Sequence, residues 1–269
     1  MSVHSKQEGR LSVHVFADRN AMGKAAADHV AGLIAGVLKK KENVNIVFAA
    51  APSQDEFLDH LVRSPHVDWS RVLGFHMDEY IGLHPSSDQF FGVYLNQHLF
   101  TRVKMKEVHL IDAQASNPSK ECERYASLLR AHPTDIVCMG IGENAHIAFN
   151  DPPVADFQDK LLVKIAELDE PCRQQQVNDG CFKTMADVPP IAYTLTVPAL
   201  LSAAHLSIVV PSQRKAKAVL DTLTAEISTA VPASILRTHP DAALFLDESA
   251  ASMIPHGSTP QQATKLYSA

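Results

Sequence analysis

Short apolar runs separated by stretches of helical periodicity constrain the fold of this 269-residue chain more than any other feature. The runs are "LSVHVFA" (11 to 17), "VNIVFAAA" (44 to 51), "RVLGFHM" (71 to 77), "VHLID" (108 to 112), "DIVCMGIG" (135 to 142), "HLSIVV" (205 to 210) and "AALFLD" (242 to 247). Each has the length and composition of a strand. Between the first two, Val30, Leu33, Ile34, Val37 and Leu38 fall on one side of a helix, and "CERYASLLRAH" does the same before the fifth. Apolar residues three and four apart share a helix face, so the alternation predicts strands joined by crossover helices, an α/β fold with a parallel sheet.

A 46% hydrophobic composition supplies a large core without a break in character, so residues 1–254 are expected to form one α/β domain. The polar stretch 255–269, "PHGSTPQQATKLYSA", is expected to be a tail. A formal charge of -6 with scattered lysine and arginine offers no footprint for nucleic acid. The triplet Lys39, Lys40, Lys41 sits where a helix should end, and cations there favour the dipole. Cys122, Cys138, Cys172 and Cys181 lack CxxC spacing and read as reduced, mostly buried thiols. No apolar run reaches the length of about 18 residues needed to span a bilayer, and the N-terminus lacks an apolar targeting core. A cytoplasmic protein without membrane partners is expected.

Ligands of parallel α/β sheets bind beyond the carboxyl ends of the strands, where loops and helix N-termini converge. Two stretches in such positions carry ionisable chemistry: "GFHMDEY" (74 to 80) and "GENAHIAFNDPP" (142 to 153). His146 is a candidate acid–base group, because an imidazole gives and takes protons near neutral pH. Asn144 and Asp151 flank it and are each able to hold the ring by a hydrogen bond. Gly140 and Gly142 permit a tight turn or close backbone approach. A zinc set of His76, Asp78 and His146 has acceptable ligand types but no regular metal-ligand spacing. There is no G-x-S-x-G for a serine nucleophile, and "ADRNAMGK" after the first strand lacks a dinucleotide glycine fingerprint.

"MDEYIGL" followed by "GIGENAHIAFNDPP" resembles the glucosamine-6-phosphate deaminase family, which is related to the 6-phosphogluconolactonases. The similarity runs from about residue 11 to about 250, and the "HIAFND" segment resembles the deaminase branch. The resemblance implies a modified Rossmann-like, mostly parallel sheet with helices on both faces. It implies conversion of an amino sugar 6-phosphate to a ketose 6-phosphate plus ammonia, with no metal or organic cofactor. In that chemistry His146 opens the sugar ring and Asp78 carries a proton from C2 to C1, while Asn144 and Asp151 support the histidine. Ser53, Gln54, Glu79, Arg173 and Lys215 fall at substrate-binding positions, the last two as phosphate ligands. Arg214 beside Lys215 leaves that register open by one residue. Two other readings of the scaffold stay open: a lactonase-like hydrolase in which His146 activates water, and a non-catalytic sugar-phosphate sensor. A homo-oligomer and the gluco or galacto epimer also stay open.

Two positions depart from the family pattern. Asn144 stands where members carry aspartate, and Asp151 is one methylene shorter than their glutamate. The glycine-rich phosphate turn after the second strand reads "AAAPSQDEF", where Ser53 and Glu56 are spaced as a capping box that would satisfy helix N–H groups internally. Asp55 and Glu56 would then repel an anion there.

Overall fold

The computed structural model describes residues 4–8 and 10–255. Most of the expected tail, residues 256–269, lies outside the described residues. In chain order the elements begin with β1 (His4–Glu8), β2 (Leu11–Phe16), α1 (Arg19–Leu38), β3 (Val44–Phe48), α2 (Asp55–Val62), β4 (Val72–His76) and β5 (Asp78–Tyr80). They continue with α3 (Phe91–Leu95), β6 (Glu107–His109), α4 (Pro118–Ala131), β7 (Ile136–Met139), β8 (Val163–Glu167) and α5 (Glu170–Asn178). The last are β9 (Ile191–Leu195), α6 (Val197–Leu201), β10 (His205–Val210), α7 (Ala216–Thr224) and β11 (Ala242–Asp247).

Eight strands form one sheet in the order β1-β2-β11-β10-β7-β3-β4-β6. All its pairings are parallel except the antiparallel edge pair β1–β2. Successive strand side chains point to opposite faces, and the core divides accordingly. Val44, Ile46 and Phe48 of β3 pack with Ile136 and Cys138 of β7 on the face covered by α1 and α2. Val47, Val137 and Met139 face the other way, toward Tyr125 and Leu129 of α4 and Val219 and Leu223 of α7. Helices therefore cover both faces. The N-terminus of α1 is fixed by Asp18, whose side chain accepts the Ala21 N–H at 2.7 Å.

A second sheet of three antiparallel strands, order β5-β9-β8, was not expected from the sequence. It corrects the reading of "MDEY" as a loop following a strand: Asp78–Tyr80 is itself a strand, paired with Thr194, Tyr193 and Ala192 of β9. The chain leaves β4 at His76 and enters β5 one residue later, so Asp78 is set by two sheets at once. The expected Ser53–Glu56 capping box is also absent. Pro52–Gln54 forms a 3₁₀ turn, Gln54 caps α2 without a side-chain bond, and Glu56 instead grips Arg19 at 2.8 and 2.9 Å.

Candidate active site

A cavity of about 290 Å³ opens beyond the carboxyl ends of the neighbouring strands β3, β7 and β10. Its walls come from Ala49–Gln54 after β3, Gly140–Gly142 after β7 and Pro211–Lys215 after β10, with Asp78 and His146 both exposed to it. The backbone at this rim is strained: Ala145 (φ 64°), Ala148 (φ 47°) and Ser212 (φ 86°) adopt left-handed geometry without being glycine. Such conformations cost on the order of 1–3 kcal/mol each and persist only where the surroundings impose them. Gly142 has no alternative, since a Cβ there would lie 2.2 Å from His146 Cε1.

His146 is held on one side of its ring. Nδ1 lies 2.7 Å from Asn144 Oδ1 and 2.9 Å from Asp151 Oδ1, and the His146 backbone N–H donates to the same Asn144 oxygen at 3.1 Å. The other ring nitrogen, Nε2, has no hydrogen bond among the described residues. Asn144 Nδ2 donates to Asp151 Oδ1 at 3.0 Å and to both oxygens of Asp169 at 3.2 Å. Asp151 is fully buried. Burial pushes its carboxyl upward, but the contacts with His146 and Asn144 and the Asp169 N–H outweigh this and hold it below the usual range.

Asp78 sits in the opposite electrostatic condition. Burial, reinforced by the neighbouring Glu79 charge, raises its carboxyl well above the ordinary value. Among the described residues no cation offsets it. Asp78 in the cavity lining is thus held toward the acid, while Asp151, buried behind the His146 ring and outside the lining, is held toward the anion, an arrangement expected of carboxyls with different tasks.

The expected substrate-binding residues divide. Ser53, Gln54 and Lys215 line the cavity. Lys215 is buried and makes no ion pair among the described residues; burial lowers its ammonium to about 8, so it stays cationic at neutral pH. Arg173 does not reach the cavity: its guanidinium donates to the carbonyls of Met185 (2.7 Å) and Val188 (2.9 Å), tying α5 to the following turn. Glu79 is also turned away, accepting backbone N–H groups of Tyr80, Phe91 and Gly92. His76 is fully buried, with Nε2 accepting the Ile111 N–H at 2.8 Å, and stands outside the cavity lining.

Several lining residues were not expected: Arg19, Gln175, Gln176, Asp179 and, in the register left open, Arg214. Both guanidiniums are already engaged. Arg19 is bound by Glu56, and Arg214 donates to Asp179 Oδ1 at 2.9 Å and the Asn178 carbonyl at 2.8 Å. Asp169, behind Asn144, was missed as well, although "LDEPC" carries an N-cap signal: Asp169 caps α5 by accepting the Cys172 N–H at 2.8 Å.

Residues 17–245 match the family described as glucosamine-6-phosphate isomerases/6-phosphogluconolactonase. The chain belongs to this family. It is 30% identical over 244 residues to a glucosamine-6-phosphate deaminase of Lactobacillus delbrueckii, covering 91% of this chain and 100% of that protein. It is 33% identical over 211 residues to one of Listeria welshimeri, covering 78% and 88%. Among solved structures, a monomeric glucosamine-6-phosphate deaminase superposes with a TM-score of 0.81 at 26% identity, covering 90% of this chain and 99% of that one. A 6-phosphogluconolactonase of Thermotoga maritima shares the fold, with a TM-score of 0.72 at 19% identity over 88% and 99% of the two chains.

Proposed function

We propose that the protein is a deaminating aldose–ketose isomerase that converts an amino sugar 6-phosphate, of the glucosamine 6-phosphate type, to the ketose 6-phosphate and ammonia. The observation that carries this reading is the presence of Asp78 and a one-sidedly held His146 in the same cavity. Lactone hydrolysis needs one base to activate water. Isomerisation needs two proton-transfer groups acting on different atoms.

In this reading His146 Nε2 takes the proton of the anomeric hydroxyl and returns one to the ring oxygen, opening the sugar. Asp78 removes the C2 proton while the substrate ammonium gives up a proton that reaches O1, leaving an enolamine, and Asp78 then delivers its proton to C1. The resulting C2 iminium adds water and releases ammonia, leaving the C2 carbonyl. The raised Asp78 carboxyl suits this sequence, because a substrate ammonium at C2 supplies the missing opposite charge and lets the carboxyl ionise when substrate is bound.

The phosphate is assigned to Lys215, a cation in the cavity lining, with the Ser53 hydroxyl in the same lining; Gln54 also lines the cavity, and its Nε2 donates to Ser53 Oγ at 3.1 Å and to the Val209 carbonyl at 3.3 Å. Arg173 has no part in it. Four free thiols and the lack of any helix long and apolar enough to cross a membrane, among the described residues, support a cytoplasmic setting. The test is incubation with glucosamine 6-phosphate, galactosamine 6-phosphate and 6-phosphogluconolactone. Ammonia from an amino sugar phosphate supports the proposal; acid release from the lactone without ammonia replaces it with the hydrolase reading, and tight binding without turnover of any of the three replaces it with the sensor reading.

A further inference from the structure

A histidine works as a base through one nitrogen only when the other carries the ring proton. His146 Nδ1 carries it as long as what faces Nδ1 accepts. One of the two groups that face it, Asn144, is ambivalent: its amide presents an oxygen in one orientation and an N–H donor in the other. Partners at both ends decide: the His146 backbone N–H holds the amide oxygen at 3.1 Å, and carboxylates hold the amide nitrogen. Asn144 Nδ2 lies 3.0 Å from Asp151 Oδ1 and 3.2 Å from each oxygen of Asp169, so turning the amide over would set its oxygen against two carboxylates.

We infer that Asp169 is a positioning residue: together with Asp151 and the His146 backbone N–H it fixes the orientation of the Asn144 amide, so that both groups facing Nδ1 accept, the Nδ1–H tautomer of His146 is held and Nε2 is left free to accept a proton. Asp169 does not line the cavity and touches no substrate; it acts through Asn144. Its own place is rigid. Oδ1 accepts the Cys172 N–H at 2.8 Å at the start of α5, and its backbone N–H donates to Asp151 Oδ2 at 3.4 Å. A network of two carboxylates bridged by a neutral amide therefore runs from helix α5 to the catalytic ring. The catalytic half of this inference rests on the proposed isomerase reading; the tautomer half does not.

Asp169→Ser tests it, because serine keeps an oxygen for the Cys172 N–H but removes the carboxylate facing Asn144. The ring nitrogens of His146 are followed by ¹⁵N NMR in the full chain, with His146→Gln identifying the signals. Wild type should show Nδ1 protonated and Nε2 bare, whereas Asp169→Ser should show a mixture of tautomers and a kcat lower by about tenfold with KM within about twofold, a fraction of the roughly 10²–10⁴-fold that a whole acid–base group contributes. Asp169→Glu should recover the wild-type tautomer. A residue that only caps α5 would lower the melting temperature without moving the tautomer, so an unchanged Nδ1–H signal in Asp169→Ser overturns the inference. If no amino sugar phosphate is turned over while the tautomer shifts as stated, the proposed function fails and the positioning role stands.

Discussion

Glu79 binds the backbone of Gly92: its Oε2 accepts the Gly92 N–H at 2.8 Å, while Oε1 accepts those of Phe91 at 3.0 Å and Tyr80 at 2.9 Å. One buried carboxyl thereby joins the strand that carries Asp78 to the first turn of α3, whose Phe91 lines the cavity. Burial raises this carboxyl to about 7 despite the three N–H donors.

Glu79→Gln should lower the melting temperature, since a single amide oxygen cannot take all three donors. It should also move the acid limb of kcat/KM to lower pH. The Glu79 charge helps raise the Asp78 carboxyl, so removing it lowers the pH at which Asp78 ionises. A pH–rate profile checks this, and an unmoved limb would mean that Asp78 does not govern it.

Asp78→Asn should fold as wild type, because Asp78 is anchored by main-chain pairing with Thr194 in β9. Its kcat should fall by about 10³-fold or more, as the amide cannot accept the C2 proton. Circular dichroism and a coupled ammonia assay on the same preparation separate the two outcomes.

Lys215→Ala should raise KM for phosphorylated substrate by about tenfold while changing kcat little, the signature of a uniform binding contact. Arg173→Ala should leave KM unchanged and cost about 1–3 kcal/mol of stability through the unpaired Met185 and Val188 carbonyls. Steady-state kinetics with urea unfolding of both variants distinguishes a ligand contact from a structural one.

His76 makes the fold acid-labile. Burial lowers its imidazole from 6.5 to about 3. Between these values the unfolded chain holds a proton that the folded chain does not, so this contribution is complete above pH 6.5 and falls by about 1.4 kcal/mol per pH unit as pH drops toward 3. Urea unfolding at pH 7 and 5 should show the loss, and His76→Asn should flatten it.

The central strands β4, β7, β10 and β11 were legible because they are buried on both faces and read as continuous apolar runs, and β10 and β11 coincide with the expected segments to the residue, whereas the polar edge strand β1 (His4–Glu8) was not expected. The second sheet was not. Asp78–Tyr80 is three residues long with two acids, and only pairing with Ala192–Thr194, more than a hundred positions away, makes it a strand. The two motifs led to His146, Asn144, Asp151 and Asp78 because loops after strands converge. Cations were harder to read. Whether an arginine faces a ligand depends on where its guanidinium finds acceptors: Arg173 found carbonyls behind α5, Arg19 found Glu56, and Arg214 found Asp179. The Ser53–Glu56 spacing misled for the same reason, since Arg19 claimed the glutamate.

The account turns on Asp78 carrying the C2 proton of an amino sugar phosphate to C1. Turnover of the amino sugar 6-phosphate in D₂O, with the ketose product examined by NMR, tests this most directly. In the wild-type product the hydrogen delivered to C1 should come in part from C2, leaving less than one solvent deuterium per ketose, with one ammonia per ketose formed; Asp78→Asn should give neither ketose nor C2–H exchange. A full solvent deuterium at C1 of every wild-type product molecule, or undiminished ketose formation by Asp78→Asn, would contradict it.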